Sequence, residues 1–70
     1  MKFKFIFKLK KMRILKGITQ KRLSILCGLS QSHISELELN KESPSLTTIE
    51  SITNAMDMYP CDILEVEKKN

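Results

Sequence analysis

Residues 20–39 read QKRLSILCGLSQSHISELEL, with apolar residues at helical spacing on both sides of a glycine. Gly28 stands where a helix can end in left-handed backbone, and the hydroxyl of Ser30 can cap the start of another helix. The spacing therefore predicts two helices, at 20–27 and 31–39, joined by a turn of three residues. A turn this short makes the two helices cross steeply.

Three more helices are predicted around this pair. The first runs from about residue 7 to residue 16, because Gly17 follows at a position where helices stop. The fourth begins after Ser45, a good N-cap residue, and a short fifth helix starts at Pro60. The residues expected to form the buried stripe of the fourth helix are Leu46, Ile49, Ile52, Thr53 and Met56.

The two ends of the chain have strand-like patterns. Lysine and phenylalanine alternate over residues 2–7, and Glu65, Val66 and Glu67 alternate near the other end. Antiparallel pairing would set Lys against Glu and Phe against Val, and each such pair contributes a few tenths to about 1 kcal/mol. We therefore expect the N-terminal arm to cover the core, while its placement in a nucleic-acid groove stays open. A membrane-binding helix is disfavoured, because the segment is short and lacks 3.6-residue spacing.

These patterns together predict an all-α fold of five helices with a short β pairing of the N- and C-terminal segments. The expected boundaries are an arm at 1–6, a helical domain at 7–65, and a tail or short strand at 66–70. A chain of 70 residues allows one domain at most, and its core is so small that a dimer is a reasonable expectation.

Charge is distributed unevenly along the chain. Residues 1–22 hold nine Lys or Arg and no acid, whereas residues 23–70 hold three Lys and all eight acids. Such polarity is typical of a protein that approaches a polyanion with one side, although a solvated charged face explains the composition equally well.

Cys27 and Cys61 are the two cysteines, and the sequence has no evident secretory signal. A disulfide framework is therefore disfavoured, and both thiols are expected to be reduced core side chains. Two distant cysteines and His33 are too few ligands for a metal site, so no metal or cofactor is expected. No apolar run reaches the roughly 20 residues that span a bilayer, which predicts a soluble, cytoplasmic protein without a membrane partner.

Residues 17–58, GITQKRLSILCGLSQSHISELELNKESPSLTTIESITNAMDM, resemble the phage-repressor type of helix-turn-helix domain, the Cro and lambda-repressor family also called XRE. The resemblance covers about residues 7–65. It implies a five-helix domain that binds operator DNA, usually as a dimer. The matching positions are Thr19, Gln20, Gly28, Ser30, Ile34, Glu38, Pro44, Ser45 and Leu46.

The third helix has two distinct faces when each residue is turned by about 100° from the one before. Ile34, Leu37 and Glu38 fall on the core side, and the opposite face is free to meet a major groove. Gln31 matches the family's base-reading position, and its amide can pair bidentately with adenine. Glu36 departs from the family, which commonly has Lys, Arg or Gln there. The expected base-contacting residues are Gln31, Ser32, Ser35 and Glu36.

Four other residues are expected to contact DNA phosphates. Gln20 matches the family's phosphate-clamping glutamine at the front of the second helix, and Lys21 lies beside it. Asn40 and Lys41, in the loop after the third helix, match a second backbone contact. The first helix, Lys21, Arg22 and Lys41 have to supply the electrostatic attraction, because Glu36 is repelled by phosphate.

Arg13 and Glu38 match a pair that forms an ion bridge between the first and third helices in the family. The helical wheel agrees, since it turns Glu38 inward and an acid on the core side needs a partner.

The leading hypothesis is a sequence-specific double-stranded DNA-binding regulator, a repressor that acts as a homodimer with helix 31–39 in the major groove. The alternative is a protein-interaction module, such as an antitoxin that binds a toxin, for which DNA is secondary. An enzyme is not expected, because no catalytic set, phosphate loop or paired carboxylate motif is present, and no small-molecule effector is evident. The expected dimer surface comprises Tyr59, Pro60, Ile63 and Val66.

Overall fold

The computed structural model describes residues 2–69, which form five helices and one two-stranded sheet. The elements in chain order are β1 (Lys2–Phe7), α1 (Leu9–Leu15), α2 (Gln20–Cys27), α3 (Gln31–Glu38), α4 (Leu46–Ala55), α5 (Pro60–Ile63) and β2 (Leu64–Lys69). The predicted fold class is confirmed, including the pairing of the two ends of the chain.

Side-chain caps set the starts of the three central helices. Thr19 Oγ1 accepts a hydrogen bond from the backbone N–H of Arg22 at 3.0 Å, and Ser30 Oγ does the same for His33 at 3.1 Å. Ser45 caps α4 in the same way. Gly28 ends α2 with a φ of +78°, a conformation that favours glycine. Local chemistry therefore accounts for the boundaries of α2.

The first helix starts two residues later than predicted, because β1 continues through Phe7. Lys8 joins the strand to the helix, and its backbone N–H donates to the carbonyl of Ile63 at 2.8 Å. This hydrogen bond to a distant residue has no signal in the local periodicity.

The sheet is antiparallel, with Lys4 opposite Glu67 and Phe5 opposite Val66. Lys therefore faces Glu and Phe faces Val at these positions, as predicted. The Phe7 end of the sheet lies against the helices, where Phe7 is buried. The sheet thus closes the domain at one end and extends away from it at the other.

The core consists of one apolar cluster with contributions from every helix. Thr53 is buried among these residues, and its hydroxyl donates to the carbonyl of Ile49 at 2.7 Å, which satisfies the polar group. No helix within residues 2–69 is long and apolar enough to cross a membrane. The buried apolar residues are Phe7, Leu9, Leu23, Ile34, Leu37, Ile49, Ile52, Met56 and Ile63.

Three expectations about burial are wrong. Leu46 is expected in the core, but it is the first residue of α4 and is 85% exposed, and the buried part of the helix begins one turn later at Ile49. Cys61 is also exposed, since α5 has a single turn and Ile63 takes its inward position. Ile63 is fully buried, so it does not belong to the expected dimer surface.

Candidate nucleic-acid interface

The inner face of α3 anchors this helix in the core. Ile34 and Leu37 are fully buried, whereas Gln31, Ser32 and Glu36 on the outer face are exposed. The division into two faces predicted from the helical wheel is confirmed, with Ser35 half-buried at the edge of the outer face. A helix held by two buried aliphatic side chains presents its polar face in a fixed orientation.

The outer face of α3 forms part of a shallow concave surface, which we call the recognition surface. It brings together the four predicted base-contacting residues and two of the four predicted phosphate-contacting ones. Amide, hydroxyl and carboxylate groups are thus available to hydrogen-bond the edges of base pairs. The residues lining the recognition surface are Gln20, Gln31, Ser32, Ser35, Glu36, Leu39 and Lys41.

Arg13 and Glu38 form the ion pair that was expected from the sequence. Arg13 Nε lies 2.5 Å from Oε2 of Glu38, and Nη2 lies 3.1 Å from Oε1. The Glu38 side chain is 3% exposed and the Arg13 side chain is 12% exposed, so the carboxylate is shielded from water while its partner keeps some contact with it. Arg13 Nη1 also donates to the carbonyl of Ile18 at 2.8 Å, which ties the end of α1 to the turn before α2. The pair therefore fixes α1 against α3.

The side chain of Gln20 joins this ion pair, a contact that the sequence did not reveal. Its Nε2 donates to Oε1 of Glu38 at 3.0 Å. This hydrogen bond holds the Gln20 amide in one orientation. The amide oxygen and the second N–H are left for other partners at the recognition surface.

Two opposing effects act on the pKa of Glu38. Burial raises the pKa, but hydrogen bonds from Arg13 and Gln20, together with the charges of Arg13 and Lys10, outweigh burial, so the pKa lies below its usual value. The same hydrogen bond stabilises the charged guanidinium and so raises the pKa of Arg13 above its ordinary value. Both partners are therefore charged at neutral pH.

The loop after α3 has a defined backbone. Asn40 has a φ of +56°, and its N–H donates to the carbonyl of Leu37, while the N–H of Lys41 donates to the carbonyl of Glu36. These two N–H groups cap the helix. Phosphate contacts at Asn40 and Lys41 thus depend on their exposed side chains rather than on the backbone.

His33 and Glu42 form a second contact that sequence reasoning missed. His33 Nε2 lies 2.6 Å from Oε1 of Glu42, and this pair links the first turn of α3 to the loop that carries Lys41. The local sequence pattern does not indicate this contact, because the distance between His33 and Glu42 depends on the path of the loop that joins them.

Lys21 is exposed on the first turn of α2, next to Gln20. Helix N-terminal N–H groups lack partners within the helix and carry positive dipole charge, which suits them to bind an anion. The N-terminal N–H groups of α2 and the ammonium group of Lys21 are both suited to bind a phosphate.

Three of the four residues predicted for the dimer surface are exposed. Tyr59 and Pro60 lie at the start of α5 and Val66 lies in β2, whereas Ile63 is buried. Within residues 2–69, no group of three or more His, Cys, Asp or Glu side chains is placed to hold a metal ion.

Comparison with known proteins identifies the domain. The helix-turn-helix family model matches residues 9–64. The control protein C.BamHI of Bacillus amyloliquefaciens is 32% identical over 59 residues, which are 83% of this chain and 73% of that protein. The crystal structure of the restriction-modification controller protein C.AhdI from Aeromonas hydrophila is 32% identical, with a TM-score of 0.72 over 76% of this chain and 80% of that one.

A solved structure from Bacteroides fragilis shares the fold at 22% identity, with a TM-score of 0.81 over 89% of this chain and 100% of that one. The family match covers the helices that build the recognition surface, with the side chains of α3 turned as the sequence predicted. This chain therefore belongs to the XRE-type helix-turn-helix family of DNA-binding transcription regulators.

Proposed function

We propose that this protein is a sequence-specific double-stranded DNA-binding regulator that acts as a homodimer, with α3 entering the major groove. The named relatives are a control protein and a restriction-modification controller protein. On that basis we propose the control of genes in a system of this type, by repression, as the biological role. Such a regulator acts where the DNA is, so we propose a cytoplasmic location. We also propose that it has no catalytic activity, because binding to DNA is sufficient for this role.

The observation that carries this proposal is the orientation of α3. Ile34 and Leu37 are fully buried, while Gln31 and Ser32 project from the exposed start of the helix. A recognition helix reads base edges with residues near its N-terminus, which is where these two lie. Gln31 is the strongest base reader of the set, because its amide both donates and accepts.

Electrostatics supports the proposal from outside α3. The helix has no Lys or Arg and carries Glu36 and Glu38, so it attracts DNA weakly by itself. Glu38 is neutralised by Arg13 within the protein. Lys41 lines the recognition surface, Lys21 is exposed next to Gln20 in the sequence, and the net charge of the chain is +4. We propose that these cations contact DNA phosphates.

Selection of bound fragments from a random duplex pool, followed by titration at two salt concentrations, tests the function. We expect a defined sequence motif with twofold symmetry, and an affinity that falls steeply as salt increases. Failure to bind any duplex at low salt would refute the proposal. In that case the protein-interaction hypothesis, such as an antitoxin role, would be tested next.

A further inference from the structure

His33 and Glu42 join the first turn of α3 to the loop that follows this helix. His33 Nε2 lies 2.6 Å from Oε1 of Glu42. A ring nitrogen and a carboxylate oxygen at this distance form a charge-assisted hydrogen bond, and Nε2 carries the necessary proton in the charged ring and in one neutral tautomer. The two side chains are 37% and 43% exposed, so the contact is partly shielded from water.

The helix holds the His33 end of this contact in place. The backbone N–H of His33 donates to Oγ of Ser30 at 3.1 Å, and the next residue, Ile34, is fully buried. A side chain on a capped helix start, beside a residue fixed in the core, has few positions available to it. The contact therefore restrains mainly the loop, which is the less constrained partner.

Backbone hydrogen bonds hold the loop at its beginning. The N–H groups of Asn40 and Lys41 donate to carbonyls of α3 at 3.2 and 3.1 Å. Within residues 2–69, the N–H groups of Glu42 and Ser43 donate to no backbone carbonyl. The side chain of Glu42 therefore restrains a part of the loop that the backbone leaves free, immediately after Lys41.

Lys41 and Glu42 are neighbours of opposite charge that line different surfaces. Lys41 lines the recognition surface, whereas Glu42 and Asn40 line a groove beside the terminal sheet. A rotation of the loop would bring Glu42 toward the recognition surface and turn Lys41 away from it. A carboxylate in that position would repel DNA phosphates. The orientation of the loop thus decides which of the two charges faces DNA.

We propose that His33 and Glu42 are positioning residues for DNA binding: their contact holds Glu42 away from the recognition surface and so keeps Lys41 on it. This inference rests on the proposed function, because it assigns a support to the phosphate contact at Lys41. Neither positioning residue touches DNA in this role. An acid beside the interface therefore strengthens binding through its hydrogen bond, although its charge alone would weaken binding.

Two substitutions at Glu42 separate its hydrogen bond from its charge. Glu42→Gln and Glu42→Ala remove the same negative charge, but glutamine keeps an oxygen that can accept from His33 Nε2. In titrations of the full chain with a selected duplex, Glu42→Ala should bind about threefold to tenfold more weakly than Glu42→Gln. The slope of log affinity against log salt should decrease by about 1 for Glu42→Ala, since one cation leaves the phosphates.

Substitutions at His33 test the other end of the contact. His33→Gln supplies an amide N–H close to the position of Nε2, so its affinity should stay within about twofold of the wild type. His33→Ala should weaken binding, and the double variant with Glu42→Ala should bind no worse than His33→Ala, because both changes remove one contact. Weaker binding of His33→Ala combined with equal binding of the two Glu42 variants would overturn the inference, since His33 would then contact DNA itself.

Two controls distinguish positioning from a general effect of the substitutions. Glu50 is an exposed acid in α4, and Glu50→Gln and Glu50→Ala should bind DNA alike. In a Lys41→Ala background, Glu42→Gln and Glu42→Ala should also bind alike, since the side chain that Glu42 positions is absent. A difference between the two Glu42 variants that persists without Lys41 would overturn the inference.

NMR relaxation of the free protein separates this inference from the proposed function. The backbone order parameter of residues 41–43 should be about 0.85 in the wild type and fall below about 0.6 in Glu42→Ala. A wild type that binds no duplex but shows this loss of order would remove the DNA-binding function and support the restraint of the loop by Glu42. Equal order in the wild type and Glu42→Ala would overturn the inference, whether or not the protein binds DNA.

Discussion

Gln20, the first residue of α2, is hydrogen-bonded to Glu38, the last residue of α3: its Nε2 donates to Oε1 of Glu38. Arg13 from α1 binds the same carboxylate. One buried acid therefore holds three helices and the side chain of a residue that lines the recognition surface. The stability of the fold and the position of a proposed phosphate contact depend on the same group.

Replacement of Arg13 should destabilise the domain. Arg13→Ala leaves the Glu38 carboxylate with only the Gln20 amide as a partner. Loss of one member of a fully buried pair lowers the free energy of unfolding by about 3–5 kcal/mol, so we expect a loss at or below the lower end of this range for this partly buried pair. Urea denaturation followed by circular dichroism measures this change. Lys16→Ala, at an exposed position after α1, should have an effect within about 0.5 kcal/mol. Equal stability of both variants would show that the pair does not hold α1 to α3.

The lowered pKa of Glu38 predicts a specific acid sensitivity. The ordinary value is 4.5, and the folded pKa lies below it, so the unfolded chain takes up this proton first as the pH falls. The contribution of Glu38 to stability is therefore fully present above the ordinary value and is lost as the pH falls through the folded pKa. Thermal melting between neutral pH and about pH 3 measures this dependence.

A comparison of two glutamate variants isolates this effect. Glu38→Gln should lower stability at neutral pH and reduce the loss of stability on acidification. Glu36→Gln, which changes an exposed acid on the same helix, should leave the acid-dependent loss close to that of the wild type. If both variants kept the wild-type pH dependence, Glu38 would not be the group responsible.

Gln31 should determine specificity at one base position. Gln31→Ala removes an amide that can both donate to and accept from a base, and we expect discrimination at that position to fall by about 1–3 kcal/mol. Affinities for a selected operator and its single-base variants measure the change. An equal loss of affinity on every sequence would assign Gln31 to phosphate binding instead.

Lys41 should affect affinity without affecting specificity. Lys41→Ala removes one cation beside the recognition surface, so binding to all duplexes should weaken alike, and the slope of log affinity against log salt should decrease by about 1. Titrations at several salt concentrations give the slope. Lys69→Ala, at the far end of the sheet, should leave the slope at the wild-type value, and a change there would mean that the sheet tip contacts DNA.

Local chemistry made much of the fold predictable. The caps at Thr19 and Ser30 and the left-handed Gly28 act within a few residues, so the sequence predicts α2 correctly from end to end. The helical wheel places Ile34 and Leu37 inside because their spacing matches the helix period. The alternation at the chain ends likewise predicts that Phe faces Val, since a strand has a period of two, and the structure shows this pair to be Phe5 and Val66.

Tertiary structure decided the features that depend on how separate elements pack. The Gln20–Glu38 and His33–Glu42 contacts join side chains from different elements, and neither has a local signature. Leu46 is 85% exposed although its spacing matches the buried stripe of α4, so periodicity alone does not decide its burial. The sequence by itself therefore determined which face each element presents, because that depends on short-range period and capping. Packing determined which residues contact each face, because those contacts join distant parts of the chain.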